Sequence, residues 1–502
     1  MTAPAAWQIL RRTLRHVRRD FLAQTRDLPR QQQAYLHQLL QRQADTDFGR
    51  RHGFADLRGI EAYRQAVPVQ DAAQVQAWVG KISPAHPQVL SADTAFLEIT
   101  GGSSGGIKYI PYGPAGMADF QAALFPWLDD LLDRRPAIME GPAYWSISPA
   151  LAREAGSGKG LPVGLENDAL YFGEALAGQL ARTLAVPPSV GRLQDRREWQ
   201  RQTLLHLLRN PELRLASVWS PTFLLNLLDG LEALAPALLA QLDRESGQRL
   251  ERALADGRVN TRVLWPRLDT ISCWTHGHAG AFVPALEERF PQARIQPKGL
   301  LATEGVVSLP LEDAPMPVLA ARSGFFEFLD EDGGMRMAWE LEQGGVYEVV
   351  MSNNLGLYRY RLGDRVQMTG EYRGLPMLRF LGRGARQVDL CGEKLDEAFV
   401  ARVLEGHRDL ALLMPLMQPR PHYVCIAQSP LEIDLEKALQ DNPQYAYARR
   451  LGQLAELRIK VHPGVGKHYL DWRLEQGQRL GDIKPLALLP DDAFLHYLEA
   501  RA

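Results

Sequence analysis

The sequence predicts an α/β protein, with a large N-terminal region of sheets packed with helices, β-rich at its end, and a small α+β region after it. Three observations predict it. Leucine and alanine recur at helical spacing over residues 117–135 and 166–239. From Arg262 onward, strand-like and helix-like stretches alternate, as in a sheet with helices against it. Past residues 381–384 the texture changes again, which divides the chain into residues 1–382 and 383–502.

Taken in order, residues 1 to about 45 read as helical. Trp7, Leu10, Leu14, Val17 and Phe21 form one apolar stripe beside an arginine-rich face. Such a stretch is a transit peptide, a membrane-surface helix, or a first domain helix with a solvated basic face. The stripe continues past Asp20, which favours the last. "TDFGRRHGF" (residues 46–54) and "AVPVQD" (66–71) read as connectors. "AFLEI" (95–99) and "KYIPY" (108–112) read as strands. Further on, "LDTISCW" reads as a strand, "GAFVPALEERF" as a helix and "ARIQPKGLL" as a strand. The run from Gly324 is β-rich, with turns at Gly333-Gly334 and Gly344-Gly345.

Composition narrows the function. The 502 residues exceed one compact core, and 46% hydrophobic with 23% charged residues describes an ordinary globular protein. A net charge of −2 carries no nucleic-acid footprint. The three cysteines form no Cys-x-x-Cys, so neither zinc nor a disulfide framework is indicated and a cytoplasmic setting fits. The most apolar run, "FLLNLLDGLEALAPALLAQL", is interrupted by Asp229, Gly230, Glu232 and Pro236, so no membrane span is expected.

The stretch "LEITGGSSGGIKYIPYG" (97–113) carries the first chemistry. A Gly/Ser run is ordinarily a flexible turn. Here it leaves a strand, exposes successive N–H groups and is followed by Lys108, the parts of an anion cradle. It is not a P-loop, because Ile107 stands where that motif needs lysine. It lacks the dinucleotide Gly-x-Gly-x-x-Gly spacing too. The pattern Thr-Ser-Gly-[Ser/Thr]-[Ser/Thr]-Gly-x-x-Lys fits residues 100–108, with Gly101 in place of its serine. "GLLATEGVV" (299–307) then presents Thr303 and Glu304 at a glycine turn, hard oxygen ligands suited to Mg2+. In "GLYRYRLGDRV" (356–366), Asp364 is placed to accept two ribose hydroxyls, unless it is a plain turn aspartate. Arg383 lies at the boundary, within reach of ribose or phosphate.

This order of motifs resembles the adenylate-forming enzymes. "TDFGRRHGF", "VPVQD", "GGSSGGIKYIPY", "SVWSPTFLLNLL", "CWTHGHAGAF", "QPKGLLATEG", "GFFEF" and "GLYRYRLGD" narrow the resemblance to the Gretchen Hagen family. That family comprises plant acyl-acid amido synthetases, which conjugate auxin and jasmonate to amino acids, and their bacterial relatives. The resemblance implies a large adenylate-forming domain, a small mobile C-terminal domain, and ATP with Mg2+ as cofactors. Ser103, Ser104 and Lys108 would surround the β- and γ-phosphates, and Thr303 and Glu304 would hold the α-phosphate and the metal. Asp364 would bind ribose and Arg383 would mark the hinge. Thr100, Gly102, Gly105, Leu300 and Ala302 complete the nucleotide set. A lysine of the small domain would reach the reacting carboxylate. "GQRLGDIKPLALLP" nominates Lys484, with Lys467 of "HPGVGKHYL" as its rival.

The implied reaction activates a carboxylic acid as an acyl adenylate and transfers the acyl group to an amine, an amino acid being expected. The aromatic residues Trp219, Phe223 and Trp274 are candidate walls of the acyl pocket. His276 and His278 are either a base for the amine or structural. Two alternatives share the motifs: an acyl-CoA ligase, and a nucleotide-binding protein that has lost catalysis.

Overall fold

The computed structural model describes residues 2–101, 107–145, 160–164, 168–193, 195–383, 387–388, 390–391, 393, 395–450, 453–478, 480 and 483–501. Three helices open the chain, Ala3–Leu14, Val17–Gln24 and Leu28–Arg42. Their stripe is buried through Trp7, Leu10, Leu14 and Phe21, with a break at His16, whose φ is +78°. The basic face is not simply solvated. Arg11 pairs with Asp129 at 2.6 Å and Arg18 with Asp130 at 2.7 Å, both on the helix Pro114–Arg134. Four arginine–aspartate contacts, counting those of both arginines to Asp133, tie this segment to the body of the fold.

"TDFGRRHGF" is a helix rather than a connector, Asp47–Arg51. Thr46 caps it by accepting the Gly49 N–H at 2.9 Å. Phe48 is buried and stacks on Tyr358 at 4.6 Å. Gly49 serves close approach rather than a turn, since a Cβ there would lie 2.0 Å from the Gln43 carbonyl oxygen.

Two sheets place the site. Four parallel strands lie in the order Ala143–Trp145, Leu215–Ser217, Thr270–Cys273 and Arg294–Pro297. Leu215–Ser217 falls inside the stretch read as helical. It is three residues long and wholly buried, so it shows no alternation to mark it. A seven-stranded antiparallel sheet follows, centred on Val346–Asn353, Leu357–Tyr372 and Leu375–Arg383. The turns at Gly333-Gly334 and Gly344-Gly345 precede the strands Met335–Met337 and Val346–Asn353.

The C-terminal part builds a three-stranded sheet from Ala411–Leu416, His422–Ala427 and Arg458–Val461, with helices such as Val465–Glu475 and Ala493–Glu499. Phe282 of the large part is buried in an apolar cluster with Leu412, Met414 and Val465 of this small part. The interrupted apolar run forms two helices, Pro221–Asp229 and Leu231–Leu239, bent by 56°. Among the described residues no single helix is long and apolar enough to cross a membrane.

Candidate active site

The two strands that flank the glycine-rich stretch pair with each other as a β-hairpin. Phe96–Gly101 pairs antiparallel with Ile107–Tyr112, and the register sets Thr100 opposite Lys108. Both edges are pinned. Leu97 donates to the Pro162 carbonyl at 2.9 Å, and the Gln76 amide both donates to and accepts from the Tyr109 backbone. Gly102, Ser103, Ser104 and Gly105 lie outside the described residues, as do the side chains of Thr100, His278 and Arg383.

Thr303 and Glu304 form a two-residue turn between Leu301–Ala302 and Gly305–Val306. Both turn carbonyls are held. Tyr112 Oη donates to Thr303 O at 2.5 Å, and Asn353 Nδ2 donates to Glu304 O at 2.7 Å. Tyr112 thereby couples the hairpin to the turn. Burial, then Tyr171 and the Glu98 and Glu304 carboxylates, hold its phenol well above the usual range, so it stays a donor. Gly305, at φ +149°, takes a side chain only with strain, and a Cβ there would press on Met351 Cε at 2.5 Å. Leu300 is buried, with its N–H donated to Ser308 Oγ. Glu304 is buried as well, and among the described residues no three ligating side chains gather around a common point. A single carboxylate suits Mg2+ where waters and substrate phosphates complete the donor set.

Asp364 is buried on the strand Leu357–Tyr372, and its cross-strand partner is Arg383. The ribose candidate and Arg383 are thus opposite one another in the register of one ladder. Gly363 and Gly382, at φ +79° and +140°, flank them beside a register shift.

Lys484 reaches this region from the small part. Its Nζ lies 4.6 Å from the centre of the Trp274 ring and 5.8 Å from that of Phe380. Tyr469 Oη donates to the Lys484 carbonyl at 3.1 Å, fixing the segment. Lys467 is elsewhere, exposed in the first turn of the helix Val465–Glu475. Trp274 packs on Trp219 with ring centres 5.7 Å apart. Phe223 is not with them. It is buried between Tyr144 and Trp199 in the helical core. His276 is held near 4, first by burial and then by Arg379, and is a neutral acceptor at pH 7. So low a value makes it a weak base for an ammonium group.

Sequence reasoning assigned no role to Lys298, although it quoted the motif that contains it. Lys298 is buried, donates to Ser217 Oγ at 2.7 Å, and lies over the rings of Trp219 and Trp127. The only signal in the sequence is a lysine inside the stretch read as a strand, "ARIQPKGLL", which the structure ends at Pro297.

Comparison with known proteins follows the same outline. The sequence profile of the GH3 family N-terminal domain matches residues 17–250, and that of the GH3 family central domain matches residues 317–383. A mouse GH3 domain-containing protein is 31% identical over 218 residues, 39% of this chain and 41% of its own length. The indole-3-acetic acid-amido synthetase GH3.8 of Oryza sativa subsp. indica is 31% identical over 301 residues, 50% of this chain and 49% of that enzyme. The chain thus spans about half or less of the length of these curated relatives. The structure of AtGH3.15 acyl acid amido synthetase in complex with 2,4-DB superposes with a TM-score of 0.83 at 19% identity, over 96% of each chain, so the fold is shared. With the N-terminal and central domain profiles of one family matched in chain order over most of its residues, the chain belongs to the GH3 (Gretchen Hagen) family.

Proposed function

We propose that the protein activates a carboxylic acid with ATP as an acyl adenylate and passes the acyl group to an amine, an amino acid, forming an amide. The observation that carries this reading is the Tyr112–Thr303 hydrogen bond, which locks the anion-binding hairpin to the Thr-Glu turn. A carboxylate is a poor electrophile until one oxygen becomes a leaving group. The transition state at the α-phosphate gathers negative charge, and preorganised donors and cations stabilise it. Thr303 supplies a hydroxyl there, Lys484 an ammonium, and Glu304 a ligand for Mg2+. The metal, when bound with ATP, neutralises phosphate charge. Lys108 and the hairpin N–H groups hold the departing pyrophosphate, and Asp364 the ribose. His276, a weak base, orients by accepting a hydrogen bond rather than removing the amine proton.

Residues 383–502 form a small domain in this reading, which rotates about residues 383–387 so that Lys484 withdraws before the amine enters. A cytoplasmic setting fits the buried thiols of Cys273 and Cys425. The test is pyrophosphate release from ATP and Mg2+ across a carboxylate panel, with amino acids and coenzyme A as competing acceptors. Release with amide formation is expected. Release with thioester alone would make it a ligase of the other kind. No release on any acid would overturn adenylation.

A further inference from the structure

Lys298 sits at the C-terminal edge of the parallel sheet, where open α/β sheets bind their ligands. Its ammonium lies 5.2 Å from the centre of the Trp219 ring and 5.4 Å from that of Trp127. Ser217 Oγ is its hydrogen-bond partner, and no carboxylate pairs with it among the described residues. Burial pulls it down to about 8. The neighbouring Cys273 thiol, pushed up to about 12 by its own burial, supplies no charge to balance it. A buried cation held by one hydroxyl and two ring faces is costly unless an anion completes it.

A second, independent feature points to a ligand. The register aligns Trp145, Ser217, Ser272 and Gln296 in one row across the four strands. In-register residues of parallel strands share a face. Trp127 Nε1 donates to Gln296 Oε1 at 3.0 Å, so that face is the one toward the helix Pro114–Arg134. In this row Trp145 Nε1 and Ser272 Oγ are buried without a hydrogen-bond partner among the described residues. Native proteins seldom leave such groups unmade, and each is suited to an acceptor oxygen.

The aromatic rings set the orientation. Trp145 lies 6.0 Å from Trp127, Lys298 lies over Trp127 and Trp219, Trp219 packs on Trp274, and Lys484 lies over Trp274. This line of rings has Lys484 at the end proposed to adenylate and Lys298 farther along it. We propose that Lys298 is a specificity-determining residue that binds a second anionic oxygen of the acyl acid, so that the acids accepted are planar aromatic acids with a carboxylate remote from the reacting one. This rests on the reading of the site as an acyl-activating one. Trp127 and Trp219 offer the faces for the ring. Lys298, Ser272 and Trp145 Nε1 offer donors for the far oxygen.

The test compares terephthalate with benzoate on the full-length protein, by quenching of tryptophan fluorescence without ATP and by pyrophosphate release with it. The wild type should bind terephthalate on the order of tenfold to a hundredfold tighter than benzoate. In Lys298→Met the ratio of the two affinities should fall to near one. Equal binding of both acids by the wild type overturns the proposal without any variant. A ratio that survives Lys298→Met in folded protein overturns it too. Preferential terephthalate binding with no pyrophosphate release would uphold Lys298 and remove adenylation. Pyrophosphate release without any preference for the diacid would do the reverse.

Discussion

The Lys484 ammonium rests 4.6 Å from the centre of the Trp274 indole, so a residue late in the chain lies against a ring that follows the third parallel strand. A cation over an indole face gains about 0.5–2 kcal/mol, enough to bias a side chain without locking it. Lys484→Ala should slow pyrophosphate release by roughly a hundredfold or more, the range for removing one preorganised charge stabiliser. Amide formation from supplied acyl adenylate should change far less. Equal loss in both half-reactions would make Lys484 structural, and Lys467 is then the residue to substitute.

Glu304→Gln should abolish most Mg2+-dependent turnover while thermal unfolding stays within a few degrees of wild type, since Tyr112 and Asn353 hold the turn through its two carbonyls. A magnesium titration of pyrophosphate release checks this. Normal turnover would take Glu304 out of the site.

Gly305→Ala attacks the same turn through the backbone. Its Cβ would press on Met351 Cε in a conformation unfavourable to L-residues. Stability should fall by about 1–3 kcal/mol, with activity falling alongside. Urea unfolding measures the first. An unchanged midpoint would mean that Met351 yields.

Asp364→Ala should raise KM for ATP roughly tenfold to a hundredfold, the value of a hydrogen bond to a charged group, with KM for the acid little changed. The opposite split would move Asp364 from the nucleotide to the acyl side.

His276 supplies a pH test. Its folded value is near 4 against an ordinary 6.5. Between those values the unfolded chain binds a proton that the folded one refuses. Its contribution to stability is therefore complete above about pH 6.5 and is lost as pH falls toward 4. In His276→Gln the fall in stability over that window should be shallower. Parallel wild-type and variant curves would show that His276 does not titrate there.

Much of this was legible because the signals are local. The hairpin strands, the Thr-Glu turn and the β-rich run all announce themselves by alternation and glycine. The segment 46–54 misled because glycine ordinarily signals a turn, whereas Gly49 is needed for contact with Gln43. Leu215–Ser217 gave no period because both its faces are covered. Phe223 and Trp219 are near neighbours in sequence, and only tertiary packing sends one into the helical core and the other against Trp274 and Lys298. Lys298 illustrates the same limit: nothing local distinguishes a buried lysine from a solvated one.

The seat of Phe282 among Leu412, Met414 and Val465 makes the junction between the two parts a latch. Any rotation that lifts Lys484 from Trp274 by swinging the small part away draws an aromatic ring out of an apolar socket. Exposing such a ring costs about 1.5–3 kcal/mol, which is roughly a tenfold to hundredfold population bias. If the protein works as proposed above, the resting equilibrium then lies on the side that faces acid and ATP, the amine enters only in the minority of molecules that have slipped the catch, and a smaller side chain at position 282 would shift that timing without touching either reactant.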